Sequence, residues 1–319
     1  MKYLHTKTGV ATLSVVSNSC LVLLKLTVGL FIGSVSVLSE AIHSGMDLLA
    51  SLIALFAVRT SSKPADEGHP FGHGKIENVS GAIEALLIFV AAGWIIFEAI
   101  NKLLHPSEIE SVGWGVLIMA ISAGVNLLVS RQLFKVGLET DSIALKADAW
   151  HLRTDVYTSA GVMTGLLLIW IGSHWLPQED LRWIDPMAAI AVALLIIKTA
   201  WDLTRQAGRD LLDGRLLADE EQWIHDYLCE QRPTVRGYHK LRTRKSGAVR
   251  FVEFHLFLDS TTSVADSHEF SEKVEHAIEE RFPGSSVTVH VEPCDGECRD
   301  ECVDDCLLSP TERLAIRKS

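Results

Sequence analysis

Ala149–Ser159, AWHLRTDVYTS, sets His151 and Asp155 four residues apart inside a long apolar segment. Residues four apart on a helix are neighbours on one face, and ionisable side chains at membrane depth cost enough to mark a functional site. The same His-x3-Asp spacing occurs upstream at His43 and Asp47, in SEAIHSGMDLL. Two helices turning these faces toward each other would offer two imidazoles and two carboxylates, four ligands for one metal.

Around that stretch the chain reads as a membrane protein. Apolar residues fill 48% of 319 positions and charged ones 22%, with the charges crowded into loops and the last third. Six segments meet the ~20-residue length needed to cross a bilayer: residues 9–33, 35–58, 79–100, 112–134, 142–171 and 184–204. The first is expected to be a retained span, because its apolar run is too long for a signal peptide and no small-residue cleavage site follows it. Orientation is set by Lys and Arg alone. Lys2, Lys7, Arg59, Lys63, Lys75, Arg131, Lys135, Lys146, Arg205 and Arg209 fall on one side of the six spans, against Lys102 and Arg182 on the other. Both termini are therefore expected in the cytoplasm. The net charge of −11 says little about partners, since the acids gather in the C-terminal third.

Polar groups inside the spans sort the helices. Span one carries Asn18 and Lys25, expected to face other helices or water. Its short GSVSVLSE link makes spans one and two antiparallel neighbours, with Glu40 one turn before His43. Spans three and four, with Glu84, Glu98 and Asn126, read as supporting helices whose small residues, among them Gly81, Gly93 and Gly124, favour close packing. Span five is the most polar: Lys146, Asp148, His151, Arg153 and Asp155 crowd its cytoplasmic half. Arg153 is expected to answer a carboxylate or reach the water interface.

A domain boundary follows span six. Residues 1–208 form the transmembrane domain, 209–292 a small α+β domain and 293–319 a Cys-rich acidic tail. In the second part, 217–231 reads as a helix and YHKLRTRKSGAVRFVEFHLFLD as two strands joined at Ser246-Gly247, a hairpin signal. Ser263-x-x-Asp266 is a capping signal before a helix with Phe270, Val274, Ile278 and Phe282 at helical spacing. SVTVHVE supplies a third strand. The order αββαβ predicts helices covering one sheet face. Period-two alternation puts Val252, Phe254, Leu256 and Leu258 on that face, with His255, His290 and Glu292 opposite.

Five of the six cysteines, Cys229, Cys294, Cys298, Cys302 and Cys306, lie on the reducing side, where stable disulfides are rare. In the tail, Cys294, Cys298, Cys302 and Cys306 recur every four residues with six acids among them. On a helix they would stripe one face with a drift of ~40° per step. They are a possible extra metal contact for soft ions.

These features together resemble the cation diffusion facilitator family of divalent-metal/proton antiporters, the family of the zinc transporters. The resemblance rests on the six spans, the two His-x3-Asp pairs, the loop motif Asp66-x2-His69-x3-His73 with GHGK, and the αββαβ domain, and it covers nearly the whole chain. It implies a six-helix polytopic protein with a ferredoxin-like, metallochaperone-like cytoplasmic domain, and no enzyme. It implies a homodimer in the inner (plasma) membrane, partnered by divalent metal ions, protons and membrane lipid, not nucleic acid. Each protomer would export metal in exchange for protons by alternating access. The transport site would be His43, Asp47, His151 and Asp155. Asp66, His69 and His73 would form a loop metal site, and His239, His255, His268, His290 and Glu292 a cytoplasmic one, where some relatives carry Asp in place of Glu292. Lys75 and Asp213 would make a charge interlock in the dimer.

Many bacterial members carry Asp or another residue at the position of His43; His in both pairs resembles the zinc-selective pattern. Zn(II) is therefore the expected substrate and a structural or regulatory ion, with no organic cofactor. Fe(II), Cd(II) and Co(II) are the alternative substrates, because imidazole suits late transition ions generally. A membrane-anchored metal sensor is the alternative function. A hydrolase is disfavoured, since four protein ligands leave no open position for an activated water.

Overall fold

A computed structural model describes residues 5–32, 35–104, 114–175, 183–294 and 306–316. The chain divides into two compact units, one running to Arg209 and the other starting at Asp210.

The first unit consists of six long helices: α1 (Lys7–Ile32), α2 (Val35–Ser61), α3 (Lys75–Leu104), α4 (Trp114–Glu139), α5 (Ile143–Trp175) and α6 (Ile184–Leu211). At ~1.5 Å rise per residue each reaches across the ~30 Å hydrocarbon layer. Among the described residues, α1, α2, α3 and α6 are long and apolar enough to span a membrane. Their outward surfaces carry Phe31, Phe56, Val90, Trp94, Leu194 and Leu195, all exposed. So much contiguous apolar surface has no place in water; in lipid it costs nothing.

The α1 start is capped by Thr6, whose Oγ1 accepts from the Gly9 N–H at 3.1 Å. The link between α4 and α5 is short: Ser142 N–H donates to Gly137 O at 2.9 Å, which turns α5 back along α4. Small residues permit the tightest approaches. A Cβ on Gly81 of α3 would come within 3.2 Å of Ile143 on α5. Gly93 and Gly124, grouped with it on sequence grounds, differ: a Cβ there would meet nothing within 4 Å among the described residues. The core holds Leu133 and Val136 of α4 against Leu145, Ala149 and Leu152 of α5, with Val10 of α1 and Val58 of α2. A second cluster joins Ala85 and Ile88 of α3 to Ala147 of α5 and to Ile196 and Ala200 of α6.

The second unit has α7 (Ala218–Glu230), β1 (Gly237–Ser246), β2 (Val249–Asp259), α8 (Val264–Arg281), β3 (Ser286–Cys294) and a short α9 (Pro310–Ile316). The sheet order is β1-β2-β3. β1 and β2 are antiparallel across a tight turn in which Gly247 takes φ +60, a conformation open to glycine at little cost. β3 pairs parallel to β2, which requires the α8 crossover. The cap predicted for that helix is present: Ser263 Oγ accepts from the Asp266 N–H at 3.1 Å. Val252, Phe254, Leu256 and Leu258 are buried against Ile224 and Leu228 of α7 and Val274 and Ile278 of α8. The covered and uncovered faces therefore follow the strand alternation.

Candidate metal sites

His43 and Asp47 lie on α2, His151 and Asp155 on α5. His43 Nε2 stands 3.5 Å from Asp155 Oδ1, and His151 Nε2 3.3 Å from Asp47 Oδ1. The pairing is crossed, first with last and last with first, so the two motifs meet on antiparallel helices. Ligand atoms of His43, Asp47 and Asp155 lie within 4.8 Å of one another, and His151 joins them through Asp47. A tetrahedral zinc with ligand atoms at 2.0–2.1 Å needs neighbouring ligands about 3.3 Å apart, close to both observed pairs. Asp47 and His151 are buried and His43 is half exposed, at 51% of its side chain. One corner of the site therefore opens outward.

Neighbouring helices hold the ligands. Asn126 Nδ2 of α4 donates to Asp155 Oδ2 at 3.4 Å. Asn18 Nδ2 of α1 donates to the Asp47 carbonyl at 3.4 Å and to Ser51 Oγ at 3.3 Å. Lys25 Nζ, also buried, donates to Ser44 Oγ at 2.8 Å, next to His43. Arg153, partly buried, packs on aromatic rings. Its guanidinium lies 4.3 Å over the Phe134 ring and 5.7 Å from that of Trp150, so aromatic faces take the place of a carboxylate. Glu40 lies outside the residues whose side chains are described.

In the loop between α2 and α3, Asp66 draws both histidines inward. Its Oδ1 accepts from the His69 N–H at 2.8 Å and lies 3.3 Å from His69 Nδ1, while Oδ2 is 3.4 Å from His73 Nε2. Gly72, at φ +78, reverses the chain between the two histidines. The His69 amide and side-chain contacts, with the nearby imidazoles, hold the Asp66 carboxyl below its usual range against a smaller desolvation effect. It is an acceptor at neutral pH.

On the open sheet face, His239, His255 and His290 occupy one register row across β1, β2 and β3. Glu292, two residues along β3 on the same face, receives His239 Nε2 at 3.1 Å and His255 Nδ1 at 2.6 Å. His290 Nε2 is 3.8 Å away. Partial burial pushes the Glu292 carboxyl up, but the bonds and charges of His255 and His239 together outweigh it, so the net direction is down. The longer Glu side chain thus reaches two imidazoles at once. His268 is not in this group: it lies exposed on α8, 3.5 Å from Glu272 Oε1. A helix on the far layer cannot deliver that side chain to the opposite sheet face of the same chain.

The tail also departs from the helical stripe. Cys294 ends β3, and Cys306 forms a β-bridge with Gly237. Arg236 ties both ends, donating from Nη1 to the Cys294 carbonyl at 3.3 Å while its own carbonyl lies 3.8 Å from Cys306 Sγ. Leu307 packs on the domain core. Cys298 and Cys302 lie outside the described residues.

Two family models divide the chain between them: the cation efflux transmembrane domain matches residues 11–212 and the cation efflux protein cytoplasmic domain matches 216–294. The chain belongs to the cation diffusion facilitator family. An uncharacterized transporter of Synechocystis sp. is 35% identical over 270 residues, 85% of each chain. The cation-efflux pump FieF of Escherichia fergusonii is 35% identical over 277 residues, covering 86% of this chain and 89% of that one. Among solved structures, the metal-bound C-terminal domain of the CzcD transporter from Thermotoga maritima is 30% identical, covering 24% of this chain and 94% of that one, with a TM-score of 0.22.

A cation efflux transporter, not an enzyme, is thus the frame for the remaining polar residues. Glu77 of α3 was not singled out in the sequence, yet it is 1% exposed and gathers four helices. Its Oε1 accepts from Lys7 Nζ of α1 at 3.0 Å and from Ser61 Oγ of α2 at 2.7 Å, and its Oε2 from Ser142 Oγ at the start of α5. The spacing from Lys7 to Glu77 carries no local periodicity, so only the bundle itself makes the network visible.

Proposed function

We propose that the chain exports a divalent transition ion, Zn(II) first among them, from the cytoplasm in exchange for protons. The observation that carries this reading is the crossed His43–Asp155 and His151–Asp47 pairing, whose spacings suit a tetrahedral dication. Both imidazoles must be neutral and both carboxylates ionised to hold metal, so loading releases protons. An imidazole with an ordinary pKa of ~6.5 changes charge near physiological pH, so an acidic exterior favours protons over metal at the same four side chains. Alternating access then carries metal out and protons in.

Around that cycle, residues 1–208 transport, 209–292 regulate and dimerise in the cytoplasm, and 293–319 form the tail. The protein is a homodimer in the inner (plasma) membrane with both termini inside, and Lys75 and Asp213 contribute to the dimer interlock. Loading from the cytoplasm agrees with the loop and domain clusters on that side. At Asp66, His69 and His73, and at His239, His255, His290 and Glu292, the donor set fits a resident Zn(II), and His239 Nδ1 is buried without a hydrogen-bond partner among the described residues. There the ion would supply a positive anchor between strands or across the loop.

Selectivity tests the zinc assignment. In a competition assay on reconstituted vesicles, His43→Asp should raise Cd(II) relative to Zn(II) transport about ten-fold, because a carboxylate able to bind through two oxygens loosens the tetrahedron toward the higher coordination number a larger ion accepts. An unchanged competition profile would remove His43 as the zinc filter. The tail has its own test. Truncation after Pro293 should leave metal transport working, yet it should lower the domain's unfolding temperature through loss of Leu307 packing and the Cys306 bridge. Loss of transport would instead make the tail part of the cycle.

A further inference from the structure

Next to the metal quartet lies a second group of buried polar atoms that metal coordination does not use. Glu84 of α3 and Asp148 of α5 are both 0% exposed, and their chain neighbours Ala85 and Ala147 pack in one cluster between the two helices. Ser80 Oγ donates to Glu84 Oε1 at 3.3 Å. Glu84 Oε2, both Asp148 oxygens and Ser14 Oγ of α1, which points toward Asp148, complete no hydrogen bond of good geometry among the described residues. Three helices thus bury four polar atoms without such a bond among the described residues.

The surroundings exclude simple charge pairing. Asp148 faces Ser14 from α1, Asp47 from α2, Glu84 from α3 and His151 one turn along α5. On the α6 side, Ile196, Ala200 and Leu203 pack with Ala85 and Ala147, the immediate chain neighbours of the two acids. On the α4 side, Val129 and Leu133 pack with Leu145 and Ala149. No Lys or Arg pairs with either acid among the described residues. Two ionised carboxylates held together in such a medium, without a cation, are far too costly to persist. Buried carboxyls without a cation stay protonated instead. Complete burial leaves no opening for a hydrated metal ion, whereas a proton needs none.

We propose that Glu84 and Asp148 form a proton-binding site coupled to the metal quartet, filled when the quartet is empty of metal and vacated when metal binds. The proposal rests on the metal–proton exchange reading. A dication held by His151 and Asp47, one helical turn from Asp148, opposes a further positive charge on the pair across low-dielectric protein. The carboxyl O–H bond then breaks, the electron pair stays on the carboxylate, and the proton passes to water. On metal departure a proton from the opposite side restores the O–H bond. The pair would add to the protons displaced from the ligands themselves.

The test uses the full chain in vesicles with Zn(II) as probe, recording zinc uptake and proton movement together for wild type, Glu84→Gln and Asp148→Asn. Each variant removes one titrating carboxyl and should carry about one proton fewer per zinc. Uptake should also show a flatter pH profile, with zinc affinity unchanged. Infrared difference spectra of the wild type should lose a buried protonated-carboxyl band on zinc loading, and Glu84→Gln should lack that loss. If Glu84→Gln fails to fold, Asp148→Asn serves as the infrared control, since Asp47 and Asp155 also carry carboxyls. A full proton count in a folded variant, or a wild-type band indifferent to zinc, would overturn the proposal while leaving exchange intact. Zinc uptake by the wild type with no proton movement would remove both.

Discussion

Asp155→Ala should abolish metal movement in reconstituted vesicles under an imposed pH gradient. Asp155 pairs with His43 at 3.5 Å and receives Asn126 Nδ2 at 3.4 Å, so its loss removes a ligand and both of these contacts. Loss of even a group that only hydrogen-bonds a ligand costs up to about 100-fold in metal affinity or activity. A ligand should cost more, and transport should fall below detection. Asn126→Ala, which removes only the support, should lie between Asp155→Ala and wild type. Normal uptake by Asp155→Ala would end the four-ligand account.

The second large effect is on stability. Glu77→Ala should destabilise the helical bundle by about 3 kcal/mol, the low end for breaking a buried charge pair by removing one partner. The cause is the position of its carboxylate, at the meeting of Lys7, Ser61 and Ser142 from three other helices. Lys7 is 22% exposed, so water recovers part of the loss on its side, while the two hydroxyls lose a shared acceptor. Glu77→Gln keeps an acceptor for the serines and should recover roughly half, since a bond to a neutral acceptor is worth about half a charge-assisted one. Thermal unfolding in detergent, followed by tryptophan fluorescence, checks both. An unchanged midpoint for Glu77→Ala would mean that the four helices are held by apolar packing alone.

These two residues also mark how far the sequence could be read. Asp155 was legible because its partner His151 is four residues away on one helix, and the upstream copy repeats the rule. The crossed pairing on antiparallel helices follows from that symmetry. The strand faces were legible for a similar reason: a period of two puts Val252, Phe254, Leu256 and Leu258 on one side wherever the strand sits, and His255 on the other. Glu77, Glu84 and Asp148 were a different matter. Their roles depend on how far each helix is rotated about its axis, which an almost uniformly apolar span does not encode. The same limit applies to Arg153, whose packing on Phe134 and Trp150 no local pattern announces, and to Gly93 and Gly124, where a Cβ would meet nothing within 4 Å among the described residues. His268 entered the cytoplasmic site through family likeness alone, and the layer order of the domain separates it from His239, His255 and Glu292. In the tail, regular cysteine spacing resembled a helix stripe, but strand pairing at Cys294 and bridging at Cys306 decide the local backbone.

The most direct test of the account is uptake into proteoliposomes across a panel of divalent ions, with and without a transmembrane proton gradient. The account predicts Zn(II) uptake that is driven by the gradient, moves protons the opposite way, and collapses when the gradient is dissipated. Metal binding with no gradient-dependent flux for any ion in the panel would contradict it, and would point instead to a membrane-anchored sensor.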